Sequence, residues 1–285
     1  MEHVVWTDHP QLRRPVLIAA FEGWNDAGDA ASVAARFLAR SWEADEFASI
    51  DAEDFFDFTE SRPRVRLDDE LNREITWPAN EFLAATVPGR DLDAVLLVGT
   101  EPQLRWKTFS RQVVDLARSL DTRLVVTMGA LLAEVAHSRP VSVVGTTSEP
   151  SIAERLGLRP STYQGPTGIV GVLHDECRRA ELPSASLWAA VPAYVPSSPS
   201  PKAALALVER CGALLDVPVD TTELEIASAS YERQVTELVQ ADEETSTYVS
   251  GLEQRSDEDV TDGFADGTAL IEEVERFLRR QSPGD

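Results

Sequence analysis

Residues 16–21, Val-Leu-Ile-Ala-Ala-Phe, form an unbroken apolar run. A run of this kind belongs to a strand buried on both faces, which is the environment inside a parallel sheet. It ends in Glu22-Gly23-Trp24-Asn25-Asp26-Ala27-Gly28-Asp29, after which Ala30, Ala31, Val33, Ala34, Phe37 and Leu38 recur with helical spacing. The order is strand, polar loop, helix, and it commits the chain to an α/β design.

The rest of the first 217 residues repeats that theme. Short strands are expected at Ala48 to Ile50, at Val65 to Leu67 and at Ile75 to Trp77, the last two joined as a hairpin by the polar turn Asp68 to Asn72. Asp93 to Val98, ending at Gly99, a helix over Phe109 to Leu120, and Leu124 to Thr127 read as a βαβ unit. A strand at Val141 to Val144, helices over Ile152 to Leu156 and Ile169 to Ala180, and a last core strand at Ser186 to Val191 follow. A Pro/Ser stretch then leads into a helix over Ala203 to Leu215. Strands alternating with helices predict a three-layer α/β/α core, residues 1–217, around an open and mostly parallel sheet.

Past Pro218 the character changes. Residues 220–285 hold 18 acidic and 5 basic residues, so more than half of the chain's formal charge of −23 lies there. Leu224, Tyr231, Val235 and Leu238, and again Leu270, Val274 and Phe277, are spaced as the apolar stripes of amphipathic helices. The spacing predicts an acidic helical hairpin over the extension 218–285, joined through Ser256 to Gly267 and packed either on its own core or against another subunit.

Charge also excludes partners. A net −23 repels phosphate backbones and anionic lipid, so neither nucleic acid nor membrane is an expected partner. No apolar stretch approaches 18 residues and the start, Met1-Glu2-His3-Val4, lacks a signal-peptide pattern, which predicts a cytoplasmic protein. Cys177 and Cys211 are the only cysteines and read as buried thiols.

Two loops could carry chemistry. Glu22, Gly23, Trp24, Asn25, Asp26, Gly28 and Asp29 lie beyond the carboxyl end of the first long strand, where open α/β sheets bind ligands. Their carboxylates suit a hard cation; alternatively Asn25 or Asp26 caps the following helix, with Asp29 in its first turn. Tyr163, Gly165, Pro166, Thr167 and Gly168 form the second loop, which matches neither a dinucleotide nor a phosphate-loop fingerprint. Thr167 is a possible cap there, and the alternatives are a tight turn or a ligand or partner contact. Gly99 and Glu101 stand on the same sheet edge, and if Glu22, Asp26, Glu101 and Thr167 meet they form an acidic cleft. No metal-ligand spacing and no catalytic set emerge, so no metal, cofactor or catalytic residue is assigned, and an enzyme is the less favoured reading. His174-Asp175-Glu176 reads as a partly exposed polar turn of a helix.

At these blocks, Val16 to Ala31, Val95 to Pro102, Tyr163 to Leu173 and Ser186 to Tyr194, the chain resembles the PAC2 family, named for a proteasome assembly chaperone, in its actinobacterial form. The resemblance implies a phosphorylase/hydrolase-like three-layer fold and a non-enzymatic assembly chaperone that acts as a homo-oligomer, a trimer being one option. It implies proteasome α subunits as partner. Relatives dock there through a C-terminal hydrophobic-Tyr-X tail; this sequence closes Ser282-Pro283-Gly284-Asp285, so that docking mode is not carried over. The competing expectation is a nucleoside-like ligand bound, or hydrolysed, by the acidic loop Glu22 to Asp29.

Overall fold

In a computed structural model of the chain, residues 2–68, 71–147, 149–160, 164–196 and 198–254 are described. In chain order the elements are β1 (Val4–Trp6), β2 (Val16–Glu22), α1 (Ala30–Ser41), β3 (Asp45–Ile50), β4 (Arg64–Leu67), β5 (Arg73–Thr76), β6 (Asn80–Thr86) and β7 (Asp93–Thr100). Then come α2 (Trp106–Ser119), β8 (Leu124–Ala133), β9 (Val143–Thr147), α3 (Pro150–Leu156), β10 (Arg159–Pro160), α4 (Ile169–Arg179) and β11 (Ser184–Pro192). Helices α5 (Pro201–Leu215), α6 (Thr222–Gln240) and α7 (Glu243–Glu253) complete the described chain.

Nine strands form one sheet in the order β1-β3-β6-β7-β2-β8-β11-β9-β10. The period of two along β2 divides its side chains between two cores. Val16, Ile18 and Ala20 pack with α1 and α5, whereas Leu17, Ala19 and Phe21 pack with α2 and α4. Helices therefore cover both faces, as the unbroken apolar run of β2 requires.

The expectation of a mostly parallel sheet is corrected. The centre, β7, β2, β8 and β11, runs parallel, as does the edge pair β9 and β10. Strand β6 is antiparallel to β7 and to β3, β1 to β3, and β9 to β11, so the sheet is mixed. The reason for β6 is the connection: Val87 to Leu92, with Pro88 and a left-handed Gly89, is too short for a crossover and long enough for a hairpin. Strands β4 and β5 pair only with each other, Val65 opposite Ile75, in the hairpin the sequence predicts.

The stripe of α6 packs on the chain's own core. Leu224 joins the α1/α5 cluster, and Tyr231, Val235 and Val239 pack with Val249 and Leu252 of α7. Leu238, expected on the buried stripe, is instead exposed and Val239 takes its place, because a 3.6-residue period from Val235 reaches 239 more squarely than 238. The second expected helix, with Leu270, Val274 and Phe277, and the joining segment 256–267 lie outside the described residues, as does Tyr163. Both cysteines are buried and free, and burial pushes each thiol up to about 12.

Candidate functional site

Strands β2 and β7 are neighbours in register from Val16 opposite Ala94 to Glu22 opposite Thr100, so the loops that follow them leave the sheet side by side. The loop after β2 reverses at Gly23, whose φ of 124° is closed to ordinary side chains. The Asp26 amide donates to Gly23 O at 3.1 Å, and the Glu101 amide donates to Glu22 O at 2.8 Å. Asn25 O accepts from the Ala130 amide at 2.9 Å, which fastens the loop to β8 as well. Three parallel strands thus hold one loop.

Within it Asp26 is the cap. Its Oδ1 accepts from the Ala31 and Ser32 amides at 2.7 and 3.2 Å, so it satisfies the first free N–H groups of α1. Burial raises its carboxyl to about 6, against the opposing pull of the Ser32 and Ala31 donors. Asp29, expected inside the first turn, is exposed and left-handed at the N-cap position, where its carbonyl accepts from Ser32 Oγ. Gly28, also left-handed, abuts the start of α5: its carbonyl accepts from the Ser200 amide at 2.7 Å. Glu22 forms an ion pair with Arg36 of α1 and accepts from Thr100 Oγ1 at 3.4 Å.

The second loop meets the first through Glu101. Its Oε1 accepts from the Ile169 amide at 2.8 Å, capping α4 from a distant part of the chain. Thr167, the expected cap, instead lies exposed against Gly171, where a Cβ would sit 1.9 Å from its Oγ1. Burial raises the Glu101 carboxyl, and the amides of Ile169 and Trp24 oppose that rise. Gly168 is the closest point of the junction: a Cβ there would stand 2.2 Å from Asn25 Oδ1 and 2.7 Å from Glu101 Oε1. Gly99 serves close packing, since a Cβ on it would lie 2.2 Å from Ala79 O.

The structure therefore brings Gly23, Asn25, Glu101 and Gly168 into contact, while the four members of the expected acidic cleft have separate tasks. Asp26 and Glu101 hold helix amides, Glu22 holds Arg36, and Thr167 faces away on an exposed turn with Gly165 and Pro166. Among the described residues no group of three His, Cys, Asp or Glu side chains could hold a metal ion. Asn25 Oδ1 and Asp26 Oδ2 are buried without a hydrogen-bond partner.

Two polar networks escape the sequence. The imidazole of His174 turns inward rather than lying on a polar turn: Nε2 is 2.9 Å from Thr127 Oγ1 and 2.6 Å from Ser186 Oγ, and Nδ1 is 2.9 Å from Ser184 Oγ. Burial pushes it down to about 4. The three hydroxyls sit on buried strand residues, so the set fastens α4 to β8 and β11. The other network borders a cavity of about 180 Å³ between α5, α6 and the loop after β8. There His137 bonds Tyr194 and Thr236, and Lys202 donates to His137 O at 2.6 Å and to Glu232 at 2.5 Å. Spacing could not have revealed either, because their members lie up to 99 residues apart.

Residues 20–239 match the PAC2 family. The chain belongs to that family. It is 47% identical to a PAC2 family protein from Streptomyces avermitilis, covering 82% of this chain and 99% of that one with a TM-score of 0.78. It is 43% identical to a proteasome-assembly chaperone homologue from Mycobacterium tuberculosis, over 82% of this chain and 99% of that one, with a TM-score of 0.75. An archaeal proteasome activator from Pyrococcus furiosus shares the fold at 17% identity, 82% and 97% coverage and a TM-score of 0.68. No curated protein matches the chain. The actinobacterial PAC2 members thus carry both the sequence and the shape of this chain. No helix of the described residues is long and apolar enough to cross a membrane.

Proposed function

We propose that this PAC2 protein is a non-enzymatic, cytoplasmic assembly factor that binds other proteins, acts as a homo-oligomer and has proteasome α subunits as its partner. In this reading residues 1–217 are the working core and 218–285 an extension. The observation that carries it is the 43% identity to the Mycobacterium tuberculosis proteasome-assembly chaperone homologue along almost all of that chain. The loop chemistry supports it: Glu22, Asp26 and Glu101 already have donors within the chain, which leaves exposed Gly23, Asp29, Gly165, Pro166 and Thr167, with the partly buried Trp24, as surface for a protein.

Native mass spectrometry of the protein purified from its own host, with a tag, tests this reading. Proteasome α subunits recovered in fixed ratio are the expected result, and a bare protein under conditions that preserve the host's proteasome would end it. One observation favours a second reading, a small nucleoside-like ligand at the loop: the unpartnered Asn25 Oδ1 and Asp26 Oδ2 are acceptors that a ligand donor would satisfy. A bound small mass in the same spectrum, lost in Asp26→Asn, would transfer the assignment to it.

A further inference from the structure

The hairpin of β4 and β5 stands apart from both cores. All eight of its strand residues are exposed, and neither strand pairs with the main sheet. The two strands are nonetheless tied at their tip: Asp68 Oδ1 accepts from the Asn72 amide at 2.8 Å, and the Leu71 amide donates to Asp68 O at 3.0 Å. A two-stranded hairpin is marginal in water unless one face is covered. Here nothing of the described chain covers it.

Its faces differ. The register sets Val65 opposite Ile75 and Leu67 opposite Arg73 on one side, with Arg64 opposite Thr76 and Arg66 opposite Glu74 on the other. Val65, Leu67 and Ile75 are 49%, 60% and 56% exposed, and Trp77, two residues beyond Ile75, is 47% exposed at the base, edge-on to Phe58. These four make an apolar face on an arm that rises beside the candidate loops, because β6 begins at Asn80 opposite Gly99 at the carboxyl end of β7.

Charge says what fits. Residues 62–77 hold four arginines and four acidic residues, so the whole formal charge of −23 lies on the rest of the chain. Among the described residues no ion pair involves Arg62, Arg64, Arg66 or Arg73. Packing two arms face to face would bury Arg73 of both copies together, which is costly without counter-charges. Packing an arm on the body of another copy covers the apolar face and meets an acidic surface. We infer that the β4–β5 hairpin is an oligomerisation arm, its Val65, Leu67, Ile75 face, with Arg73 on that same face, docking on the acidic body of a second copy of this chain. Such a contact is heterologous and closes into a ring when the rotation permits. The inference rests on the homo-oligomer of the reading above and names its surface.

The test is light-scattering mass in solution of the full chain, wild type against the double variant Val65→Asp, Ile75→Asp. Wild type is expected at a multiple of 31.3 kDa and the variant at the monomer mass, with an unchanged circular dichroism spectrum because the arm lies outside the cores. A monomeric wild type would remove the homo-oligomer and this inference with it. An oligomer that survives the double variant would leave the homo-oligomer standing and overturn the arm alone. For the docking mode, Ile75→Cys carries a benzophenone photo-crosslinker; the native cysteines are buried and do not compete. Cross-links are expected on acidic segments of another copy, and cross-links confined to residues 62–77 of that copy would overturn docking on the body.

Discussion

Gly168 shows how tightly single residues are specified in the junction of loops. Its missing Cβ is what lets Asn25 and Glu101 close over the start of α4. Gly168→Ala forces Glu101 Oε1 off the Ile169 amide, and losing a charge-assisted hydrogen bond costs about 2 kcal/mol, or roughly 3 °C in melting temperature for a chain this long. Gly251→Ala is the contrasting change, because that glycine lies within α7 with open space around it, and alanine there adds up to about 1 kcal/mol. Differential scanning calorimetry of both variants should move in opposite directions; a Gly168→Ala protein as stable as wild type would mean that the junction is slack. The loop's capping role was legible, since Asp26 stands where a helix start needs an acceptor. The Glu101 cap was not, because 68 residues separate it from Ile169 and local spacing pointed to Thr167 instead.

Among elements, the fully buried strands announce themselves. Strands β2 and β7 are apolar runs with polar residues only at their ends, β8 is apolar apart from Thr127, and the residues that alternate along them feed two separate cores. Strand β6, Asn-Glu-Phe-Leu-Ala-Ala-Thr, hides because alanines and polar residues interrupt its pattern, although the Pro-Gly after Val87 carried the turn signal that makes it antiparallel. Helix α6 was legible as an amphipathic stripe, but its anchorage was not. That anchorage includes Lys202 of α5, whose ammonium is largely buried between His137 O and Glu232 of α6. Lys202→Met leaves the Glu232 carboxylate and the His137 carbonyl without this donor, and the docking of α6 and α7 should weaken by about 2 kcal/mol. Hydrogen exchange should then speed up selectively over residues 222–253 while β2 and β8 keep their protection. Uniform acceleration would show instead that α6 and α7 unfold only together with the sheet.

On the scale of the whole molecule, two buried titrations oppose one another. Asp26 has a folded value of about 6, above its ordinary 3.8, so its contribution to stability is fully present below 3.8 and is lost as pH rises through 6. His174 has a folded value of about 4, below its ordinary 6.5, so its contribution is present above 6.5 and is lost as pH falls through 4. Each shift is worth up to roughly 3 kcal/mol, and the windows overlap, so the two nearly cancel between pH 4 and 6.5. Glu101, raised by burial, adds to the side of Asp26, and His137, lowered by burial, adds to that of His174. Substitution should separate them. Asp26→Asn keeps an acceptor for the Ala31 and Ser32 amides but removes the buried charge, so its stability relative to wild type should be greatest at pH 7 and should shrink to a small constant by pH 4. His174→Gln loses part of the hydroxyl network at every pH, yet it escapes the acid penalty, so its deficit should be largest at pH 7 and narrow toward pH 4. Urea unfolding at pH 4.5 and 7 measures both differences. Curves that run parallel to wild type for both variants would show that neither group changes its affinity for protons on folding, and the acid response would then have to come from the surface carboxylates, where added salt screens it.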